Sequence, residues 1–260
     1  MMRFTTMKTK LRKYPSIFLI LLLAISSCFL TGCVNQHPKD SKKSSQGESV
    51  ETMLEITDPK EKQAVLNAKA KVKALSGNPR IVATSPAVAD ICDKLDLDLV
   101  GVPKSSVSKI PSRYKKVKKV GLAMSPDMEI VSSLNPDWIL APSSLETDLK
   151  PKFEELKNTE YAFLNLRSVQ GMYRSAQELG EIFGKQQEAE KMTKEFTTFY
   201  KSYTKRNKNK KHPKVLVLMG LPGSYVIATE NSYIGSLVKL AGGENVYQNT
   251  DQEFLTVNTE

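Results

Sequence analysis

The chain has 260 residues, 40% of them hydrophobic and 25% charged, enough apolar content for one large or two modest globular domains. Its formal charge of +10 overstates the basicity of the folded part, because residues 1–33 hold Arg3, Lys8, Lys10, Arg12 and Lys13 and no acidic group. Without those five, 33 basic side chains face 28 acidic ones. That is an ordinary surface and gives no case for nucleic acid as a partner.

The basic stretch to Lys13 leads into an apolar core, Ile17 to Ile25, and then Ser26 to Cys33, which is secretory signal architecture. The core is too short for a comfortable membrane span. Leu30-Thr31-Gly32-Cys33 resembles the bacterial lipoprotein box, and the resemblance implies that Cys33 is the first mature residue and carries diacylglycerol on its sulfur. The chain is then expected at the outer face of the cell membrane, held by its lipid. Cys28 leaves with the signal, so Cys92 is the only other thiol and no internal disulfide is expected. Residues 34–50 are polar and rich in Ser and Lys, a flexible tether, and His37 lies in it. Asp58-Pro59-Lys60-Glu61 then opens a helix with a capping Asp and a first-turn Pro; it runs to Leu75 and stops at Gly77-Asn78-Pro79.

From Arg80 strands alternate with helices. The expected strands are Arg80–Thr84, Leu97–Val102, Lys119–Leu122, Asp137–Ala141 and one near Tyr161–Leu166. The expected helices start at Ser85-Pro86, at Ser125-Pro126 and near Glu146. This pattern predicts a parallel α/β sheet, whose ligands sit beyond the carboxyl ends of the strands. Three loops share that edge: Thr84-Ser85-Pro86, Lys104-Ser105-Ser106 and Ala123-Met124-Ser125. The first offers helix N–H groups to an anion. Met124 sits where an apolar side chain need not be buried, so it is either a packing residue or a soft thioether metal ligand. Lys109, Arg113, Lys115, Lys116, Lys118 and Lys119 form either a solvated face or a patch that steers an acidic ligand.

Met172, Ala176, Leu179 and Phe183 give a helix ended by Gly184. Ala189, Met192, Phe196, Phe199 and Tyr203 then recur at helical spacing over residues 185–206. About 22 residues span roughly 33 Å, so this helix reads as a brace between two lobes or as a long surface helix on one domain. Beyond it, Lys214–Met219 and Tyr225–Thr229 read as strands around the tight loop Gly220–Ser224, and Tyr233–Ala241 as a helix capped by Ser232. The apolar faces of this part lack partners, and Val257–Glu260 look like the opening of another helix, so the expectation is a product that stops partway through the second lobe. The organisation expected is a signal peptide over 1–32, a lipidated tether over 33–57, an extra helix over 58–78, a first α/β lobe over 79–184, a linking helix over 185–211 and a partial second lobe over 212–260. The fold class expected is α/β: two Rossmann-like parallel-sheet lobes joined by one long helix, the second incomplete.

Residues 211–229 (KHPKVLVLMGLPGSYVIAT), 232–246 (SYIGSLVKLAGGENV) and 113–129 (RYKKVKKVGLAMSPDME) resemble the substrate-binding lipoproteins of ABC importers, the class that binds cobalamin, siderophores or haem. More narrowly, they are similar to the haem-binding lipoproteins of Gram-positive iron-regulated surface determinant systems, and the likeness runs from Arg80 to Glu260. The resemblance implies that haem is the transported ligand, its iron held by a Met of the first lobe, which falls on Met124, and by a His of the second lobe that would follow residue 260. It places the haem propionates near Thr84, Ser85 and Pro86 and near Ser105 and Ser106, and the opposite pocket wall at Gly223, Ser224 and Tyr225. It assigns Glu129 and Glu260 to docking on the membrane permease, and implies surface haem-transfer proteins upstream. A siderophore or cobalamin is the alternative cargo. An enzyme is not expected: the chain has no G-x-S-x-G, no H-E-x-x-H and only two histidines, neither well placed as a base. A passive surface adhesin would not need formed cleft loops.

Overall fold

The computed structural model describes residues 53–221 and 223–256. The signal peptide, Cys33, His37, the tether to residue 52 and Glu260 lie outside the described residues. Helix α1 (Pro59–Lys73) begins as its sequence requires, with the Asp58 side chain accepting from the Lys60 N–H at 2.8 Å and Pro59 in the first turn.

The first lobe is built on five parallel strands: β1 (Ile81–Ala83), β2 (Gly101–Val102), β3 (Lys118–Lys119), β6 (Trp138–Pro142) and β7 (Glu160–Leu164), in the order β3-β2-β1-β6-β7. Between them run α2 (Pro86–Lys94), α3 (Met128–Ser133) and α4 (Glu146–Glu154); α5 (Val169–Phe183) follows β7. The two-residue period of the strands divides the core. Ile81, Ala83, Leu140, Ala162 and Leu164 face α1, α2 and α5, while Val82, Ile139, Ala141 and Phe163 face α3 and α4. Cys92 is wholly buried on α2, and burial pushes its thiol up to about 12, which makes it unreactive.

Three expected elements differ in the structure. Lys119–Leu122 is not one strand. β3 ends at Lys119, and Gly121–Leu122 (β4) pairs back against Ser125–Pro126 (β5) in a hairpin, which Gly121 permits with φ +95°. Ser125-Pro126 therefore caps no helix; Asp127 does, its carboxylate accepting from the N–H groups of Glu129 and Ile130 at 3.1 Å. Likewise Leu97 and Leu99 are buried without strand pairing, leaving β2 only two residues long.

The second lobe holds β8 (Lys214–Val215), β9 (Leu218–Leu221), β10 (Ser224–Ala228), α7 (Tyr233–Leu240), β11 (Glu244–Asn245) and β12 (Phe254–Thr256). The run Lys214–Met219 breaks into β8 and β9, which join different sheets. Among its described residues parallel pairing is confined to β8 and β11, and the larger sheet, β12-β10-β9, is antiparallel. The start of α7 lies so close to the end of β10 that a Cβ at Gly235 would overlap the Thr229 carbonyl oxygen and lie 2.7 Å from Glu230 Cα. Both are backbone atoms and cannot swing aside. Gly235→Ala is expected to destabilise the chain by about 1–3 kcal/mol, read as a lower urea midpoint at unchanged slope.

Helix α6 (Gln186–Asn207) follows α5 across Gly184, whose φ of +72° makes the turn. It is fastened at both ends. At its start Lys185 pairs with Asp96 at 2.9 Å and Ala189 packs against Gly180; at its end the Tyr203 hydroxyl donates to the Ala241 carbonyl at 2.9 Å. The helix therefore contacts both lobes, as a brace would. Its stripe packs less than its period suggests: Phe196 stacks on Tyr173 at 4.5 Å, but Phe199 is 61% exposed and stacks on Tyr203 one turn on in the same helix.

Candidate functional site

The strand order reverses between β1 and β6, and the loops after β1, β2, β3, β6 and β7 all emerge at the carboxyl edge of the sheet. That edge is where open parallel sheets receive ligands. Thr84 and Ser85 are both buried there. The Thr84 hydroxyl and N–H donate to the Leu140 carbonyl at 3.3 and 3.0 Å, and Ser85 Oγ caps α2 by accepting from the Val88 N–H at 3.2 Å. The Thr84 hydroxyl is thus spent as a donor and Pro86 lacks an N–H, so the Ser85 hydroxyl proton and the Ala87 N–H are what this turn has left to offer an anion.

Met124 sits at the tip of the β4–β5 hairpin and is 72% exposed; Leu122 beside it is 59% exposed. The hairpin is tied to the neighbouring loop by the Lys104 N–H, which donates to the Gly121 carbonyl at 2.6 Å. Ser105 and Ser106 lie in that loop, Ser105 Oγ accepting from the Ser108 N–H at 3.0 Å and Ser106 exposed. Glu129 is exposed in the first turn of α3. On the second lobe Gly223 lies in the β9–β10 turn at φ +78°, and Ser224 and Tyr225 open β10 beside it, all three exposed. His212 is exposed, and its Nδ1 lies 2.8 Å from the Gly242 carbonyl oxygen. Of the six basic residues before the hairpin, Arg113 is committed elsewhere: it bonds Asp96 and Asp98 at 2.7 and 2.8 Å, and Lys185 with Arg113 holds the Asp96 carboxyl below its usual range.

Two clefts open beside β7, and the sequence assigned none of their residues to a ligand site. One, of about 700 Å³, is lined by Ser143, Glu146, Lys150, Asn165 and Arg167. The other, of about 470 Å³, reaches into the second lobe between Asn165, Arg167 and Gln170 on one side and Glu230, Ser236 and Lys239 on the other. A third groove, of about 720 Å³ along Gln177, Glu181, Ala189 and Glu190, flanks α5 and α6 rather than the sheet edge. Among the described residues no three His, Cys, Asp or Glu side chains cluster as a metal site, and no helix is long and apolar enough to cross a membrane. Met124 thus presents an exposed thioether at this edge.

A profile of periplasmic binding proteins matches residues 81–260. The high-affinity heme uptake system protein IsdE of Staphylococcus aureus (strain Newman) is 42% identical over 186 residues, which cover 71% of this chain and 63% of that protein. The chain thus spans just under two thirds of the length of this curated relative. A crystal structure of an ABC transporter substrate-binding protein from Listeria monocytogenes EGD-e matches with a TM-score of 0.65 at 46% identity, covering 70% of both chains. The structure of S. aureus IsdE complexed with heme matches with a TM-score of 0.65 at 41% identity, covering 71% of both. With its parallel sheet, its long joining helix and a matched span that begins at β1, the chain belongs to the periplasmic binding protein family.

Proposed function

We propose that the chain captures haem at the outer face of the membrane and presents it to an ABC permease, with Met124 as one axial ligand of the iron. The observation that carries this reading is the β4–β5 hairpin, which spends a turn of backbone on holding a thioether in solvent at the ligand edge of the sheet. A side chain that contributes nothing to the core is free to bind iron, and sulfur suits a soft, polarisable centre. Kinship with a heme uptake protein at 42% identity supports the choice of cargo.

In this reading the propionates approach the start of α2 and the Ser105–Ser106 loop, Gly223 to Tyr225 form the facing wall, and Glu129 and Glu260 meet the permease. Cys33 supplies the lipid anchor, and surface haem-transfer proteins deliver the cargo. The chain performs no catalysis; it binds, holds and releases. Because α6 is one continuous helix fastened to both lobes, closure around haem is small. Titrating haem into the purified chain tests the reading. A saturable shift of the Soret band is the expected result, and its absence, with a ferric siderophore or cobalamin raising the melting temperature instead, would transfer the site to the alternative cargo.

A further inference from the structure

Arg167 is placed with unusual care for a side chain at the end of an edge strand. The Asn165 carboxamide oxygen accepts from the Arg167 N–H at 3.2 Å, Asn165 is itself fixed by its N–H donating to Ser175 Oγ at 3.0 Å, and Ser168 Oγ caps α5 through the Gly171 N–H at 3.0 Å. The turn is so tight that a Cβ on Gly171 would lie 2.7 Å from the Asn165 carbonyl oxygen. The guanidinium this turn displays forms part of both clefts beside β7. Its Nε donates to the carboxylate of Glu253, which belongs to the other lobe, 86 residues away. Glu253 is held in turn, because its carbonyl accepts from the Thr229 N–H at 3.0 Å. Beside this pair the Val169 N–H donates to Ser236 Oγ at 3.2 Å, so the two lobes already meet at this point.

We propose that Arg167 is a receptor for a carboxylate of the cargo, with Glu253 occupying its place until the cargo arrives. The inference rests on the haem reading and revises one contact in it: of haem's two propionates, one reaches Arg167 at the β7 end of the edge and the other stays at the loops nearer Met124. Three features support exchange rather than a fixed latch. The Arg167 side chain is 53% exposed, and an ion pair so wetted contributes at most about 1 kcal/mol, so a ligand carboxylate displaces Glu253 at little cost. Glu253 engages Nε alone, short of the two-bond fork that arginine offers a carboxylate, so a cargo carboxylate that takes both bonds displaces it. Finally, the pair spans the two lobes at the sheet edge, so cargo lodged there meets it.

The test titrates wild type, Arg167→Ala, Arg167→Lys and Glu253→Gln with haem and with haem dimethyl ester, whose carboxylates are masked. Arg167→Ala should weaken haem by about tenfold or more, the worth of a charge-assisted hydrogen bond, and leave the ester unchanged. Arg167→Lys should recover part of the loss, and Glu253→Gln should tighten haem by removing the competing anion. Equal haem affinity in wild type and Arg167→Ala overturns the proposal, as does an equal loss for haem and ester. If the wild type binds neither compound the cargo is not haem, and the proposal falls with it; only that outcome touches the function proposed above.

Discussion

Met124→Ala is expected to weaken haem by at least about tenfold and to move the Soret band of what still binds, while leaving the fold intact. Substitutions one contact removed from a metal already cost on the order of 10–100-fold in affinity, so loss of a direct ligand costs no less. The stability side follows from exposure: a side chain 72% in solvent loses little packing when truncated, so unfolding should shift by no more than about 0.5 kcal/mol. Spectral titration and thermal melts on the same preparations check both halves. If the variant bound haem as tightly as wild type with the same spectrum, the thioether would be a bystander. Leu122→Ala at the same hairpin is the control, since it removes apolar surface of similar exposure and no donor.

Glu178→Gln is expected to stabilise the chain above neutral pH by an amount on the order of a few kcal/mol that grows as pH rises, and to flatten its dependence on pH. Glu178 lies on α5 under α1, 1% exposed, beside Glu61. Burial first, and the neighbouring Glu61 carboxyl second, push its pKa from 4.5 up to about 9, with Arg174 acting weakly the other way. The folded chain therefore keeps a proton that the unfolded chain loses. Glu178 contributes most favourably below its ordinary pKa, and that contribution declines as pH rises through the window from 4.5 to about 9, by about 1.4 kcal/mol per unit. Glutamine preserves the shape and stays neutral at every pH. Urea unfolding at pH 5 and pH 8 should show the two proteins converging at the lower value and separated at the higher one. Parallel curves would mean that the carboxyl is not held protonated.

The parallel sheet was legible because buried strands alternate between two helical layers, so Ile81, Val82 and Ala83 and the strands beside them carry the signal in their own residues. Gly184 and the capped start at Asp58 were equally local, each a single residue type with one conformational use. The Met124 hairpin was legible only in part. Ser125-Pro126 and Asp127 offer competing caps within three residues, and the choice between them depends on Gly121 turning the chain back, which is a tertiary outcome. The run Lys214–Met219 reads as one buried strand, yet it divides because Val215 pairs with Asn245 while Leu218 pairs with Ile227. Arg167 and Glu178 were invisible for the same reason. A lone Arg after a strand and a Glu on a helix read as solvated until Glu253 and Glu61 are brought against them from distant parts of the chain.

The proposed capture of haem rests on a bond between iron and the sulfur of Met124. X-ray absorption at the iron edge on the haem-loaded wild-type chain measures it directly, because a sulfur neighbour scatters differently from nitrogen or oxygen. The account predicts a sulfur atom bonded to iron that disappears in Met124→Ala. Iron surrounded by nitrogen and oxygen alone in the wild-type chain would contradict it.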